Sequence, residues 1–160
     1  MEIPEQQKDF MRRAIALSRQ KMEENCGGPF GAVIVSNGKI IAEGWNQVTS
    51  SHDPTAHAEV VAIRNACKAL DDFSLKGCEI YTSCEPCPMC LAAIYWAHLD
   101  GIYYANTRKD AAAIGFDDDF LYKEITLPEK DRAKKANRLL SAEAWEVFED
   151  WQKKVDKIRY

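Results

Sequence analysis

Apolar residues recur at helical spacing from about Pro4 to Glu24. Phe10, Ala14, Leu17 and Met22 form the stripe, with Met11, Ile15 and Ser18 beside it, and this predicts a first helix. "CGGPFG", residues 26–31, breaks it. In "FGAVIVSNGKIIAEGWN" two β-branched runs flank Asn37-Gly38, the signal of a tight hairpin. A second helix is expected from Pro54 or Thr55, with Val60, Ile63, Cys67 and Leu70 on one face. "CEIYTS", residues 78–83, reads as a buried strand, "PMCLAAIYWAH" as a helix and "GIYYAN", residues 101–106, as another strand. Beyond Arg108 the strand signal fades, and "GFDDDFLYKEI" suggests a loop plus a short helix. Residues 141–155 read as an amphipathic helix, acidic then basic, carrying Leu140, Ala144, Val147, Phe148 and Trp151. The order α-ββ-α-β-α-β predicts an α/β fold with helices on both faces of a mixed sheet. No repeat, low-complexity tract or linker divides the 160 residues, so residues 1–160 are read as one domain.

Composition narrows the function. The net charge of −4 weighs against a nucleic-acid partner, because phosphate binding favours basic surfaces. No stretch is apolar enough to span a membrane, and "MEIPEQQKDFMRRA" lacks the apolar core of a signal peptide. A cytoplasmic setting is therefore expected, where thiols stay reduced. Six cysteines then read as thiols or metal ligands, and three of them crowd into residues 84–90.

Two segments carry chemistry. Cys87 and Cys90 are three apart at the start of a predicted helix, so both sulfurs can reach one ion. Pro86 and Pro88 suit a first turn, and the helix N-terminus favours thiolate. His57 and Glu59, in "DPTAHAEVVA", open the other helix. Two residues on an α-helix rotate by about 200°, so both can address one ion only if it lies off the helix end. Two helix N-termini converging on one site is the simplest solution. A Cys2His set leaves zinc one open position, where water is acidified toward a pKa of about 7. Glu59, beside that water without binding zinc, can shuttle its proton. The competing arrangement is a closed Cys3His site with Cys84 as fourth ligand, but Cys84 precedes the turn that aims the other two, and a closed site gives Glu59 no task.

His57-Ala58-Glu59 with Pro86-Cys87-Pro88-Met89-Cys90 resembles the H-x-E…P-C-x-x-C signature of zinc nucleobase deaminases. The resemblance implies a three-layer α/β/α cytidine deaminase-like fold with a mixed central sheet, and one Zn2+ per chain on His57, Cys87 and Cys90. "HDPTAHAE" and "EPCPMCLAAI" are similar to both tRNA adenosine deaminases and bacterial guanine deaminases. "TSCEPCPMC", "AIYWA", "GFDDDFLYKEI" and the terminal Tyr160 resemble the guanine deaminase branch. That branch implies a homodimer in which a C-terminal segment, here 117–160, is exchanged and helps close the partner's site. His98 stands where many relatives carry arginine.

The resemblance also suggests how a base is held. Asn46 matches the family's base-binding asparagine, and its amide can donate and accept. Asp118 matches an acidic residue of the branch and would accept from N–H groups, with Asp117 and Asp119 as alternatives. Phe30 and Trp96 are candidates to stack on the base, and Tyr160 to close the site. The expected activity is zinc-dependent hydrolysis of guanine to xanthine and ammonia, with Glu59 as base and then acid. Guanosine, cytosine and tRNA adenosine are rival substrates. A zinc-stabilised binding module without catalysis is the rival of another class, to which Glu59 and an open zinc position would be useless.

Overall fold

The computed structural model describes residues 3–160. Asn37 and Gly38 adopt positive φ, 48° and 72°. Their left-handed turn matches the twist of paired strands and joins β1 (Gly31–Ser36) to β2 (Lys39–Trp45) as an antiparallel hairpin. Val35 faces Ile40 while Ile34 faces Ala42, so Ile41 is the extra residue of a bulge. The strand β3 (Cys78–Cys84) lies antiparallel to β1, and β4 (Gly101–Asn106) lies parallel to β3. The mixed sheet runs β2-β1-β3-β4.

Both faces of this sheet are covered, which is why β1 is apolar at every buried position rather than at alternate ones. Helix α1 (Glu5–Glu23) lays Ala14 and Leu17 on Val33, Val35 and Tyr81, with Phe10 and Met11 at the margin. Arg13 ties it to β2 through a two-pronged ion pair with Glu43, at 2.6 and 2.7 Å. A short helix α2 (Val48–Ser51), absent from the sequence reading, follows β2. On the opposite face Ala58, Ala62 and Ala66 of α3 (Ala58–Leu70) and Ile94 of α4 (Pro88–Trp96) meet Ala32, Ile34, Ala42 and Ile80. The result is the expected α/β/α sandwich. The parallel β3–β4 pair requires a crossover, and α4 supplies it.

Three expectations are corrected. Ile15 and Met22 are exposed, so the buried stripe of α1 is narrower than the apolar pattern. Helix α3 begins at Ala58, not at Pro54 or Thr55, because Asp53 Oδ1 accepts from the Thr55 N–H and Oγ1–H and holds that stretch in a turn. Its buried face is alanine-rich, and Leu70 is exposed. Gly44 of β2 explains this: a Cβ there would stand 2.2 Å from the Ala58 carbonyl oxygen and 2.4 Å from the Ala62 nitrogen. Only small residues let strand and helix backbones approach so closely.

After β4 comes α5 (Arg108–Ala113), also absent from the sequence reading. The chain divides into two compact units, one ending at Asp118 and the other running Asp119–Tyr160. The second unit contains α6 (Asp119–Thr126), a single 3-10 turn (Glu129–Asp131) and α7 (Ser141–Lys153). The predicted C-terminal helix is thus present, and its apolar residues Trp145, Val147, Phe148 and Trp151 are exposed.

Candidate active site

His57 is the N-cap of α3 and Cys87 the N-cap of α4, both in extended backbone conformation. The N-cap is the last residue before the helical path begins, so each side chain reaches past its helix end. Pro88 opens α4, where a missing N–H costs nothing, and Cys90 follows on the same turn. The two helix N-termini therefore converge as the spacing predicts. His57 Nδ1 lies 3.6 Å from Cys87 Sγ and 3.4 Å from Cys90 Sγ. All three ligand atoms fall within 4.8 Å of one another, and this is a possible metal cluster.

The spacing fits zinc. Zinc–sulfur bonds of about 2.3 Å and zinc–nitrogen bonds of about 2.0–2.1 Å at a tetrahedral angle put sulfur and nitrogen about 3.5 Å apart. Both observed separations match. The donors' protons fit as well. A hydrogen bond from Cys90 holds the Cys87 thiol down to about 4, against the opposing effect of burial. Cys90 keeps its proton because Cys87 faces it and because it is buried. The Cys87 contact likewise holds His57 above the usual imidazole range. A cysteine with a lowered pKa at a helix N-terminus suits the thiolate that a metal ligand must supply.

Glu59 is the second residue of α3 and only 6% exposed. Its Oε2 accepts from Cys90 Sγ at 3.4 Å. Burial pushes its carboxyl above the usual range. Cys84 stays outside the cluster: its Sγ points to the Thr107 carbonyl oxygen at 3.7 Å, and burial pushes its thiol up to about 11. A closed four-ligand site is therefore not what these residues form.

Asn46 ends just beyond β2 and is 7% exposed. Its Oδ1 accepts from the N–H groups of Gly28 and Val48, each at 3.2 Å. That fixes the amide: the oxygen faces backbone, and Nδ2 is left as the outward donor. A side chain at Gly27 is impossible, since its Cβ would stand 2.1 Å from the Asn46 carbonyl oxygen. Phe30, on the same loop, meets Phe116 edge to face with ring centroids 4.9 Å apart. Asp118 is half-buried, and its carboxyl is raised first by burial and also by the nearby charge of Cys87.

The site thus gathers His57, Glu59, Cys87 and Cys90, while Phe30 and Asn46 are joined to one another by the hydrogen bond from the Asn46 N–H to the Phe30 carbonyl oxygen at 3.0 Å. Trp96 is placed elsewhere: it is the last residue of α4, 67% exposed and about 9 Å along the helix from Cys90. Tyr160 is 78% exposed in the second unit. Sequence reasoning passed over Phe116 and Glu85. The only signal for Phe116 was an aromatic inside "GFDDDFLYKEI", and Glu85 was hidden as a link between a strand and the ligands.

Residues 4–106 match the model of the cytidine and deoxycytidylate deaminase zinc-binding region. The chain belongs to this deaminase family. The guanine deaminase of Bacillus subtilis is 51% identical over 151 residues, covering 94% of this chain and 97% of that protein. Its X-ray structure is similar with a TM-score of 0.93 at 50% identity, covering 96% of this chain and 98% of that one. A tRNA-specific adenosine deaminase of Agrobacterium fabrum is 40% identical over 105 residues, covering 66% of this chain and 68% of that protein. Among the described residues no helix is long and apolar enough to cross a membrane.

Proposed function

We propose that this family member is a guanine deaminase, splitting guanine with water into xanthine and ammonia. The observation that carries this reading is the reach of the similarity. It extends over 94% of the chain at 51% identity for the guanine deaminase, against 66% at 40% for the Agrobacterium tRNA enzyme and 82% at 32% for a Buchnera aphidicola tRNA-specific adenosine deaminase. The segment beyond the zinc-binding region, which includes "GFDDDFLYKEI", is therefore part of the likeness to the guanine enzyme. The net charge of −4 also disfavours an RNA substrate.

His57, Cys87 and Cys90 would hold the zinc. When bound, zinc supplies Lewis acidity and lets water act as a nucleophile at neutral pH. The chain's own residues move the protons. Glu59 takes one from the attacking water as the oxygen bonds to C2 of guanine. It delivers that proton to ring N3, then takes the remaining proton of the added hydroxyl and passes it to the amine, so that C2=O forms as the C2–N bond breaks and ammonia leaves. Its position on the first turn of α3 places the carboxylate at the cluster without making it a ligand. Asn46 Nδ2 donates to an acceptor atom of the base, because Oδ1 is occupied by backbone. Asp118 accepts from guanine N–H groups, and the face of Phe30 offers a stacking surface. Donor and acceptor on two sides together select a purine that carries both.

The remaining expectations concern a second copy. We place Tyr160 at the site of a partner subunit in a homodimer whose C-terminal segments are exchanged. The exposed apolar residues Trp145, Phe148 and Trp151 support this, since such a stripe gains by being covered. Light scattering at twice the 18.1 kDa chain mass is the expected result, and a monomer would refute the exchange. Cytoplasmic residence accords with six free thiols. The substrate reading is tested by ammonia release from guanine, guanosine, cytosine, cytidine, adenine and a tRNA anticodon stem-loop. Guanine should lead; a lead by cytosine, cytidine or the stem-loop would overturn it.

A further inference from the structure

Glu85 stands between the end of β3 and the Pro86-Cys87 turn, yet its carboxylate is committed to a different element. Its Oε2 accepts the backbone N–H of Arg108, the first residue of α5, at 2.9 Å. Its own N–H donates to the Asn106 carbonyl oxygen at 2.8 Å, carrying the β3–β4 pairing one residue past Cys84 opposite Asn106. The same residue is thereby fixed to the sheet by its backbone and to α5 by its side chain.

Helix α5 needs such an anchor. It has six residues, too few for a helix to hold itself, and only Ala111 is buried. Its first turn leaves N–H groups without helical partners. Thr107 and Asp110 satisfy one another in a capping box, with the Thr107 N–H to Asp110 Oδ2 at 2.8 Å and the Asp110 N–H to Thr107 Oγ1 at 3.3 Å. The Arg108 N–H is left to Glu85. At the other end the Phe116 N–H donates to the Ala111 carbonyl oxygen at 3.0 Å, and Gly115 turns the chain with φ of 94°. That turn delivers the Phe116 ring to Phe30 and leads directly into Asp118.

We infer that Glu85 is a positioning residue for base recognition. By pinning the N-terminus of α5 to the strand that leads into the metal ligands, it sets where Phe116 and Asp118 stand relative to His57, Cys87 and Cys90. The inference rests on the deaminase reading for its activity arm. Glu85 touches no reacting atom, so its loss should weaken holding of the base more than the chemical step.

The test compares Glu85→Ala and Glu85→Gln in the zinc-loaded full chain. The substrate is whichever free base or nucleoside the parent turns over fastest, so an error about guanine leaves the test intact. Glu85→Ala should raise KM about tenfold or more, as expected for a lost hydrogen bond to a charged group, with zinc still at one per chain. Its kcat should stay within about threefold, since uniform binding is what is lost. Glu85→Gln keeps an oxygen acceptor for the Arg108 N–H and should recover most of the KM. Hydrogen exchange, which needs no substrate, should quicken at Arg108 and at 114–118 in Glu85→Ala while β1 stays protected. A KM within twofold of the parent would overturn the inference. So would zinc loss in Glu85→Ala, which would make Glu85 a support of the ligand turn, or a Gln variant as impaired as Ala. Should Glu85→Ala not fold, Glu85→Asp shortens the reach by one methylene and must still raise KM; parental KM there is equally fatal.

Discussion

Replacing Gly44 by alanine should loosen the metal site from the far side of a helix. The added Cβ would lie 2.2 Å from the Ala58 carbonyl oxygen, a backbone atom that cannot swing aside. Ordinary van der Waals contact begins near 3.4 Å, so α3 must retreat by 3.4 − 2.2 = 1.2 Å to restore it. Metal–ligand distances tolerate only about 0.2 Å. Since His57 immediately precedes Ala58, the retreat carries its Nδ1 away from Cys90 Sγ, now 3.4 Å distant. Overfilling a tightly packed contact costs about 1–3 kcal/mol, and backbone against backbone belongs at the upper end. Denaturant unfolding with zinc and with chelator should show Gly44→Ala losing about 3 kcal/mol when zinc is present, with less than one zinc per chain on purification. Gly101→Ala is the control: its Cβ would meet nothing closer than 3.5 Å and should cost within about 0.5 kcal/mol. If Gly44→Ala keeps full zinc and unfolds within about 1 kcal/mol of the parent, the close approach of β2 and α3 does not set the ligand geometry.

Other outcomes follow from the same coordinates. Cys84→Ser should retain zinc in metal analysis and Cys87→Ser should lose it, because Cys84 Sγ faces the Thr107 carbonyl oxygen; zinc loss in the Cys84 variant would restore the closed site. Asn46→Asp keeps an acceptor for the Gly28 and Val48 N–H groups but removes the outward donor, so it should fold normally and lose about tenfold or more in kcat/KM for guanine; parental kcat/KM would refute the assigned amide orientation.

Much of this arrangement was legible because it is local. The hairpin follows from Asn37-Gly38, whose backbone freedom is a property of two residues. The metal cluster follows from His57 and Cys87 at helix N-caps, where two short stretches of sequence carry the whole geometry. What escaped notice depends on distant partners. Of the face assigned to α3, Ile63 and Cys67 do pack against the core and Leu70 is exposed, but its centre is Ala58, Ala62 and Ala66, selected by Gly44 on a different element. Helix α5 lacks an apolar stripe and is held by its capping box and by Glu85, so hydrophobic periodicity could not find it. Phe116 became visible only through its contact with Phe30, 86 residues earlier in sequence (116 − 30). Aromatic residues of α7 form the expected stripe, but a stripe does not say what covers it.

The most direct measurement follows guanine with the zinc-loaded parent and the Glu59→Gln variant side by side, recording xanthine, ammonia and zinc content. The parent should form one ammonia per xanthine. Glu59→Gln should keep one zinc per chain yet turn over at least about 10²-fold more slowly, the lower end of what a general acid–base contributes. No ammonia from guanine with the parent, or a Gln variant within about tenfold of it, would contradict the account.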